Sequence, residues 1–264
     1  MKYAVWLFLW LFMSPSFALT CGSDALSGRS FNWCMDVGAN DKSKVLWFFH
    51  GHGANEHTMI GSANYVATKQ YWRDVQGITP PIGISVSFGD SWFLDDEKGL
   101  RTFFITQVMP FMEAKAGAHP RTRWAMGESM GSWNASQLVE HTLLFERAAL
   151  GCPAIFTITP WSSEAQVQAY VARNPGAKET TVWSGLWIEQ QDFADVTQWN
   201  ANSPLAGYSH AALFIWWNTG DQYGFGEGAN AIAARQGAQI ERTTGGHCLK
   251  PTDVVIDEAK FLGQ

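Results

Sequence analysis

Charge is scarce in this 264-residue chain: Asp, Glu, Lys and Arg make up 16% of it, and the net charge is −6. An acidic balance without any run of basic residues excludes the electrostatic footprint of a nucleic-acid-binding surface. No internal repeat is present, which excludes solenoids and propellers. No apolar run reaches the roughly 20 residues of a membrane-spanning helix, so no stable membrane anchor is expected. The unbroken apolar stretch Tyr3–Met13 follows Lys2 and precedes Ser14-Pro15-Ser16-Phe17-Ala18. A positive residue, a short apolar run and small residues at −3 and −1 form an export signal cut after Ala18. Residues 1–18 are therefore expected to be a signal peptide and 19–264 the mature domain, secreted or periplasmic. An uncleaved anchor remains an alternative. So does a lipoprotein at Cys21, although Ala18-Leu19-Thr20 is a poor lipobox.

Cysteine is sparse too, with four residues. An even count in an exported chain reads as two disulfides among Cys21, Cys34, Cys152 and Cys248, with three possible connectivities. What is abundant is apolar and aromatic: 46% hydrophobic residues and 14 tryptophans, enough to bury a sizeable core.

The most informative stretch is Gly127-Glu128-Ser129-Met130-Gly131. It follows Thr122–Met126, a short strand that is apolar at its end, and precedes Ser132–His141, where Ala135, Leu138 and Val139 keep helical spacing. Strand, sharp turn and helix around G-x-S-x-G is the context of a nucleophile elbow. A second glycine turn, His50-Gly51-His52-Gly53, follows the apolar run Val45–Phe49. A turn there can add a backbone donor for an oxyanion. The donors are assigned to the N–H groups of Met130 and His52, with Gly53 as the fallback. Asp221 follows the apolar run Ala211–Trp217, and His247 lies on Gly245-Gly246 after Gln239–Thr244. Asp192, Asp195 and Asp253 rival Asp221, but none directly follows a convincing strand. The order Ser129, Asp221, His247 is that of α/β-hydrolases and of neither chymotrypsin nor subtilisin.

Along the chain, strands are expected at 29–37, 44–49, 82–88, 122–126, near Cys152, at 211–217 and at 239–244. Helices are expected at 97–115, 132–141, 225–236 and 252–262. Pro110 should kink or split the first of these helices. Alternating β and α with apolar strands means a mostly parallel central sheet covered by helices on both faces. Residues 154–208 break the rhythm and carry Trp161, Trp183 and Trp187. They read either as a cap over a substrate or as a surface excursion with buried aromatics.

With these residues in view, the chain resembles the esterase family of the α/β-hydrolases, which includes esterase D-like, feruloyl-esterase-like and mycolyltransferase-like members. The resemblance rests on Phe49–Gly53, Ser91-Trp92-Phe93, Gly127–Gly131, Asn202-Ser203-Pro204-Leu205 and Gly246-His247. It departs from the commoner G-x-S-x-G-G elbow at Ser132. It implies an α/β-hydrolase fold, Ser129 as nucleophile, Asp221 as acid, His247 as base, and neither metal nor organic cofactor. The implied substrate is a small or carbohydrate-linked carboxylic ester, with Trp92, Trp183 and Trp187 as binding candidates. An acyltransferase, a peptidase or a non-catalytic binding protein are the alternatives on the same scaffold. In this fold the loops of Cys152 and Cys248 both lie at the C-terminal edge of the sheet, so the favoured pairing is Cys21–Cys34 with Cys152–Cys248. A Cys248 nucleophile beside His247 is disfavoured, because adjacent side chains on extended backbone point apart.

Overall fold

A computed structural model describes residues 19–90 and 99–264. The expected signal, Trp92 and the start of the helix expected at 97 lie outside them. The first half of the chain runs β1 (Leu19–Leu26), β2 (Arg29–Asp36), β3 (Asp41–Phe49), α1 (His57–Ile60), α2 (Ala63–Asp74) and β4 (Pro81–Ser87). The α3 helix (Leu100–Phe103), a π turn (Phe104–Val108) and α4 (Met109–Lys115) follow, then β5 (Thr122–Glu128), α5 (Met130–His141) and β6 (Arg147–Gly151). The excursion holds α6 (Glu164–Arg173), α7 (Glu179–Asp192) and α8 (Val196–Asn202). The chain ends with β7 (Ala212–Asn218), α9 (Gly226–Gln236), β8 (Gln239–Thr243) and α10 (Thr252–Leu262).

The eight strands form one sheet in the order β1-β2-β4-β3-β5-β6-β7-β8. Pairings β1–β2 and β2–β4 are antiparallel, and every other pairing is parallel. The β1–β2 hairpin was not anticipated. Its turn residues Ser27 and Gly28 both have positive φ (49° and 78°), as a tight two-residue hairpin turn requires. The hairpin sets Cys21 directly opposite Cys34.

Buried strands read as continuous apolar runs because both faces are covered. On β3, Val45, Trp47 and Phe49 enter one core with Phe104, Trp133 and Ile215. Leu46 and Phe48 enter the other with Trp72, Trp124, Trp216 and Val254. The helical run before β5 is not split at Pro110. Pro lacks an N–H and crowds the carbonyl four residues back. Here the widened π turn ends two residues before Pro110, and helix continues to Lys115.

Both expected disulfides are formed, Cys21–Cys34 with Cα atoms 4.0 Å apart and Cys152–Cys248 with Cα atoms 5.3 Å apart. No helix among the described residues is long and apolar enough to cross a membrane.

Candidate active site

The turn between β5 and α5 has no slack. Ser129 sits at φ 55°, ψ −120°, a region that non-glycine residues seldom occupy and that costs on the order of 1–3 kcal/mol. Hydrogen bonds hold it there from both sides. The Ser129 N–H donates to Gly151 O at 2.9 Å, and Ser129 O accepts from the N–H groups of Ser132 (3.0 Å) and Ala154 (3.2 Å). A Cβ on Gly131 would lie 1.8 Å from Phe49 O, and one on Gly127 would lie 2.3 Å from Gly131 O, so both positions must be glycine. Ser132, where the sequence departs from the commoner elbow, is buried. Its hydroxyl lies 2.7 Å from Gly127 O and 2.8 Å from Gly151 O, bracing the elbow against two neighbouring strands.

The ends of β7 and β8 bring the other two residues to this serine. His247 Nε2 lies 2.8 Å from Ser129 Oγ, and His247 Nδ1 lies 2.7 Å from Asp221 Oδ2. Asp221 is only 2% exposed, and its other oxygen accepts from the Tyr223 N–H at 2.8 Å. Tyr223 and Phe225 stack with centroids 5.0 Å apart, and His247 packs edge-on against both. Burial, and then the negative charge of Asp221, push the Tyr223 phenol up. The rival acids have other tasks or places. Asp195 caps α8 through the N–H groups of Thr197 and Gln198, Asp253 sits in the first turn of α10, and Asp192 ends α7.

Three groups hold the histidine loop, and sequence reasoning missed two of them, Asn218 and Lys250. Asn218 is fully buried at the end of β7. Its amide donates to Gly246 O (2.7 Å) and Leu249 O (3.2 Å), while its carbonyl accepts from the Thr243 hydroxyl. Lys250 is buried between Glu128 (2.6 Å) and Glu258 (2.9 Å). Burial alone would lower the Lys250 ammonium, but the two carboxylates outweigh it and keep the group charged. Cys248 ties the loop to Cys152 at the end of β6. The expectation that Cys248 points away from His247 is not met. Its Sγ lies 3.4 Å from His247 Nε2, because φ at Cys248 is +55° rather than extended. Its sulfur is nonetheless in a disulfide and offers no thiolate.

Met130 and His52, the residues named from the sequence as backbone donors, both line the cavity that Ser129 also lines. Met130 opens α5, so its N–H has no intrahelical acceptor. His50 is buried and fixes the other turn. Its Nε2 lies 2.8 Å from Ser87 Oγ and its Nδ1 lies 2.9 Å from Gly51 O. Gly51 O also accepts from the Ala54 N–H at 3.2 Å. A trans peptide sets N–H opposite C=O, so anchoring Gly51 O on one side turns the His52 N–H to the other. The Gly53 N–H, held as the fallback, already donates to Asp90 Oδ1 at 2.7 Å.

A cavity of about 270 Å³ opens on the serine and histidine. Gly51, His52, Met130, Ala154, Phe156 and Phe225 contribute to its walls, and from α7 so do Gly185, Ile188 and Glu189. The 154–208 excursion therefore does reach the site. Trp183 and Trp187 do not line this cavity. They sit one turn apart on the helix, on the side away from Gly185 and Ile188. Trp183 packs on the core, and Trp187 is 62% exposed. Trp161 is also exposed.

Two clusters hold metal-ligand atom types: Cys21, Cys34 and His57, and Cys152, His247 and Cys248. In each the two sulfurs are bonded to one another, which removes the thiolates a metal would take.

No protein-family model and no curated protein matches the chain. Solved structures do match. A ferulic acid esterase aligns over 93% of this chain and 96% of its own, with a TM-score of 0.61 and 14% identity. An arylesterase aligns over 93% and 83% (TM-score 0.66, 13% identity). A vibralactone cyclase aligns over 95% and 79% (TM-score 0.63, 14% identity). The chain has the α/β-hydrolase fold. In the α/β-hydrolase architecture the elbow tops a central strand and the acid and histidine follow later strands, which is where Ser129, Asp221 and His247 lie. Identities this low carry the fold and nothing finer, since esterases and a cyclase share it.

Proposed function

We propose that the chain is an exported serine hydrolase that cleaves carboxylic esters through an acyl-enzyme. The observation that carries this is the unbroken relay from Asp221 through His247 to Ser129, with both links under 3 Å, at the wall of a cavity. In this reading His247 Nε2 takes the Oγ proton as Oγ bonds to the ester carbonyl carbon, and the π pair moves onto oxygen. The N–H groups of Met130 and His52 receive that oxyanion, each donor being worth about 3–4 kcal/mol. Collapse breaks the bond to the alkoxy oxygen, which leaves with the proton from His247. Water then repeats the sequence and frees the acid. Asp221 holds the histidine tautomer and stabilises the imidazolium.

Small or carbohydrate-linked esters are the proposed substrates: the modest, mostly apolar cavity supports small esters, and the carbohydrate link rests on the family resemblance. Two disulfides support the assignment of the mature chain to an oxidising, secreted or periplasmic compartment. A fluorophosphonate probe tests the chemistry. It should label Ser129 in the wild type and leave Ser129→Ala unlabelled, while a panel of acetyl, feruloyl and longer acyl esters is turned over only by the wild type. Labelling at another residue, or none, overturns the assignment.

A further inference from the structure

Glu189 has no part in the relay, yet it lines the same cavity. It is a carboxyl on α7 with 2% exposure. Its Oε2 accepts from the indole N–H of Trp199 at 2.7 Å, which joins α7 to α8. Among the described residues its Oε1 has no hydrogen-bond partner. An unpaired buried polar atom is costly, typically about 1–3 kcal/mol, so one on a cavity wall calls for a partner that completes it. Burial raises the carboxyl to about 8, with nearby Asp192 adding to the rise against the Trp199 hydrogen bond. At neutral pH the group is therefore mainly a carboxylic acid, able both to donate and to accept. Ile188, Phe156 and Ala154 line the same cavity and offer no polar side-chain atom of their own.

We propose that Glu189 recognises a hydroxyl group of the substrate inside the cavity, making the enzyme selective for hydroxylated esters over their hydroxyl-free counterparts. The proposal rests on the hydrolase reading in so far as the cavity receives the ester. The physical basis is asymmetric. A site built around a buried polar group discriminates strongly against an analogue that lacks the matching hydroxyl, because the site's own group is then left unpaired. The competing explanation is that Glu189 only clamps Trp199.

Two ester ladders separate these explanations. One varies the acyl part: methyl ω-hydroxyalkanoates against methyl alkanoates. The other varies the alcohol part: monoacetates of α,ω-diols against acetates of plain alkanols. At a particular chain length in one ladder, kcat/KM for the hydroxylated ester should exceed that of its counterpart by ten-fold or more. Glu189→Gln keeps a donor and an acceptor and should retain the gap. Glu189→Leu and Glu189→Met should erase it while still turning over the hydroxyl-free esters. No gap at any length in either ladder overturns the proposal with the wild type alone. A gap that survives in both apolar variants also overturns it. Calorimetric binding of the same pairs to Ser129→Ala protein, with and without Glu189→Leu, gives the same comparison without turnover. A failed hydrolase assignment, seen as no labelling of Ser129, is thereby kept apart from a failed hydroxyl preference.

Discussion

The two sides of the cavity are built on different terms. The elbow side, β5 and the start of α5, is fixed by backbone. Glycines there have no room for a methyl group, the serine's flanking peptides are hydrogen-bonded, and Ser132 pins two strands. The α7 side is fixed by side chains. Ile188 and Glu189 face the cavity from an ordinary helix, and changing them would leave the backbone where it is. Chemistry demands placement to a fraction of an ångström, and the proposed reaction uses the side where the main chain has no alternatives. On the proposed reading, substrate choice is left to the side where side chains can vary.

If that division holds, the largest effects belong to the elbow side. Ser129→Ala should lower turnover of a p-nitrophenyl ester by about 10⁶-fold while the melting temperature stays near the wild-type value. Asp221→Asn should cost about 10⁴-fold through the wrong histidine tautomer. The double variant with His247→Ala should be no slower than the worse single one, because the three groups act as a unit. Steady-state kinetics on purified protein settle each value. Fully additive losses would break the picture of one relay.

Next in size is the tether of the histidine loop. Cys152–Cys248 closes a separation of 96 residues, for which chain entropy sets a ceiling of about 4–5 kcal/mol. Cys152→Ala with Cys248→Ala should lower the melting temperature and reduce kcat, since His247 is next to the bridge. Cys21–Cys34 spans 13 residues at the far edge of the sheet, and its removal should cost stability with little change in kcat. Mass spectrometry of the unreduced mature protein should find no alkylatable thiol. Equal kinetic effects of the two bridges would erase the distinction.

How much was legible follows the same division. G-x-S-x-G, the H-G-x-G turn and the chain order of Asp221 and His247 are local patterns, and backbone-built features leave local patterns. The hairpin strand β1 left none. Leu19–Leu26 is mostly exposed and has no continuous apolar run, and its placement is carried by its register with β2. The tryptophans of α7 drew attention by size, while the cavity-facing residues are a glycine, an isoleucine and a glutamate. Nothing in the sequence marks Glu189 as buried. Its partner Trp199 is ten residues away and meets it only when α7 and α8 pack. Asn218 was equally silent, being the last residue of a strand already assigned.

A few kcal/mol at most should come from the α7 side through pH. Glu189 is held protonated to about 8 when folded, against an ordinary value of 4.5. Between those values the folded chain binds the proton and the unfolded chain has lost it. This group's contribution is therefore fully present below about 4.5 and is lost as pH rises towards 8. Glu140 on α5 is raised similarly, chiefly by burial, and adds to the same decline. Glu189→Gln should accordingly gain stability relative to wild type as pH rises from about 5 to 8, read as a widening difference in melting temperature. A constant difference across that range would show that Glu189 is charged when folded.

The smallest contrast lies within α7 itself. Ile188→Ala removes apolar surface from the cavity wall and should change kcat/KM ratios between small and bulky esters by about 1–3 kcal/mol, the scale of an apolar pocket contact. Trp187→Ala alters a far larger side chain that faces outward. Both the kcat/KM ratios and the folding stability should stay within roughly 0.5 kcal/mol of wild type, as for ordinary surface substitutions. Trp183→Ala falls between them, lowering the melting temperature through lost core contact and all esters alike. Residue size and distance along the helix would rank Trp187 first, and the direction each side chain faces ranks it last. Measuring both variants on the same ester pair decides between the two orders. A larger selectivity change for Trp187→Ala than for Ile188→Ala would mean that substrate reaches beyond the cavity onto the outer face of α7.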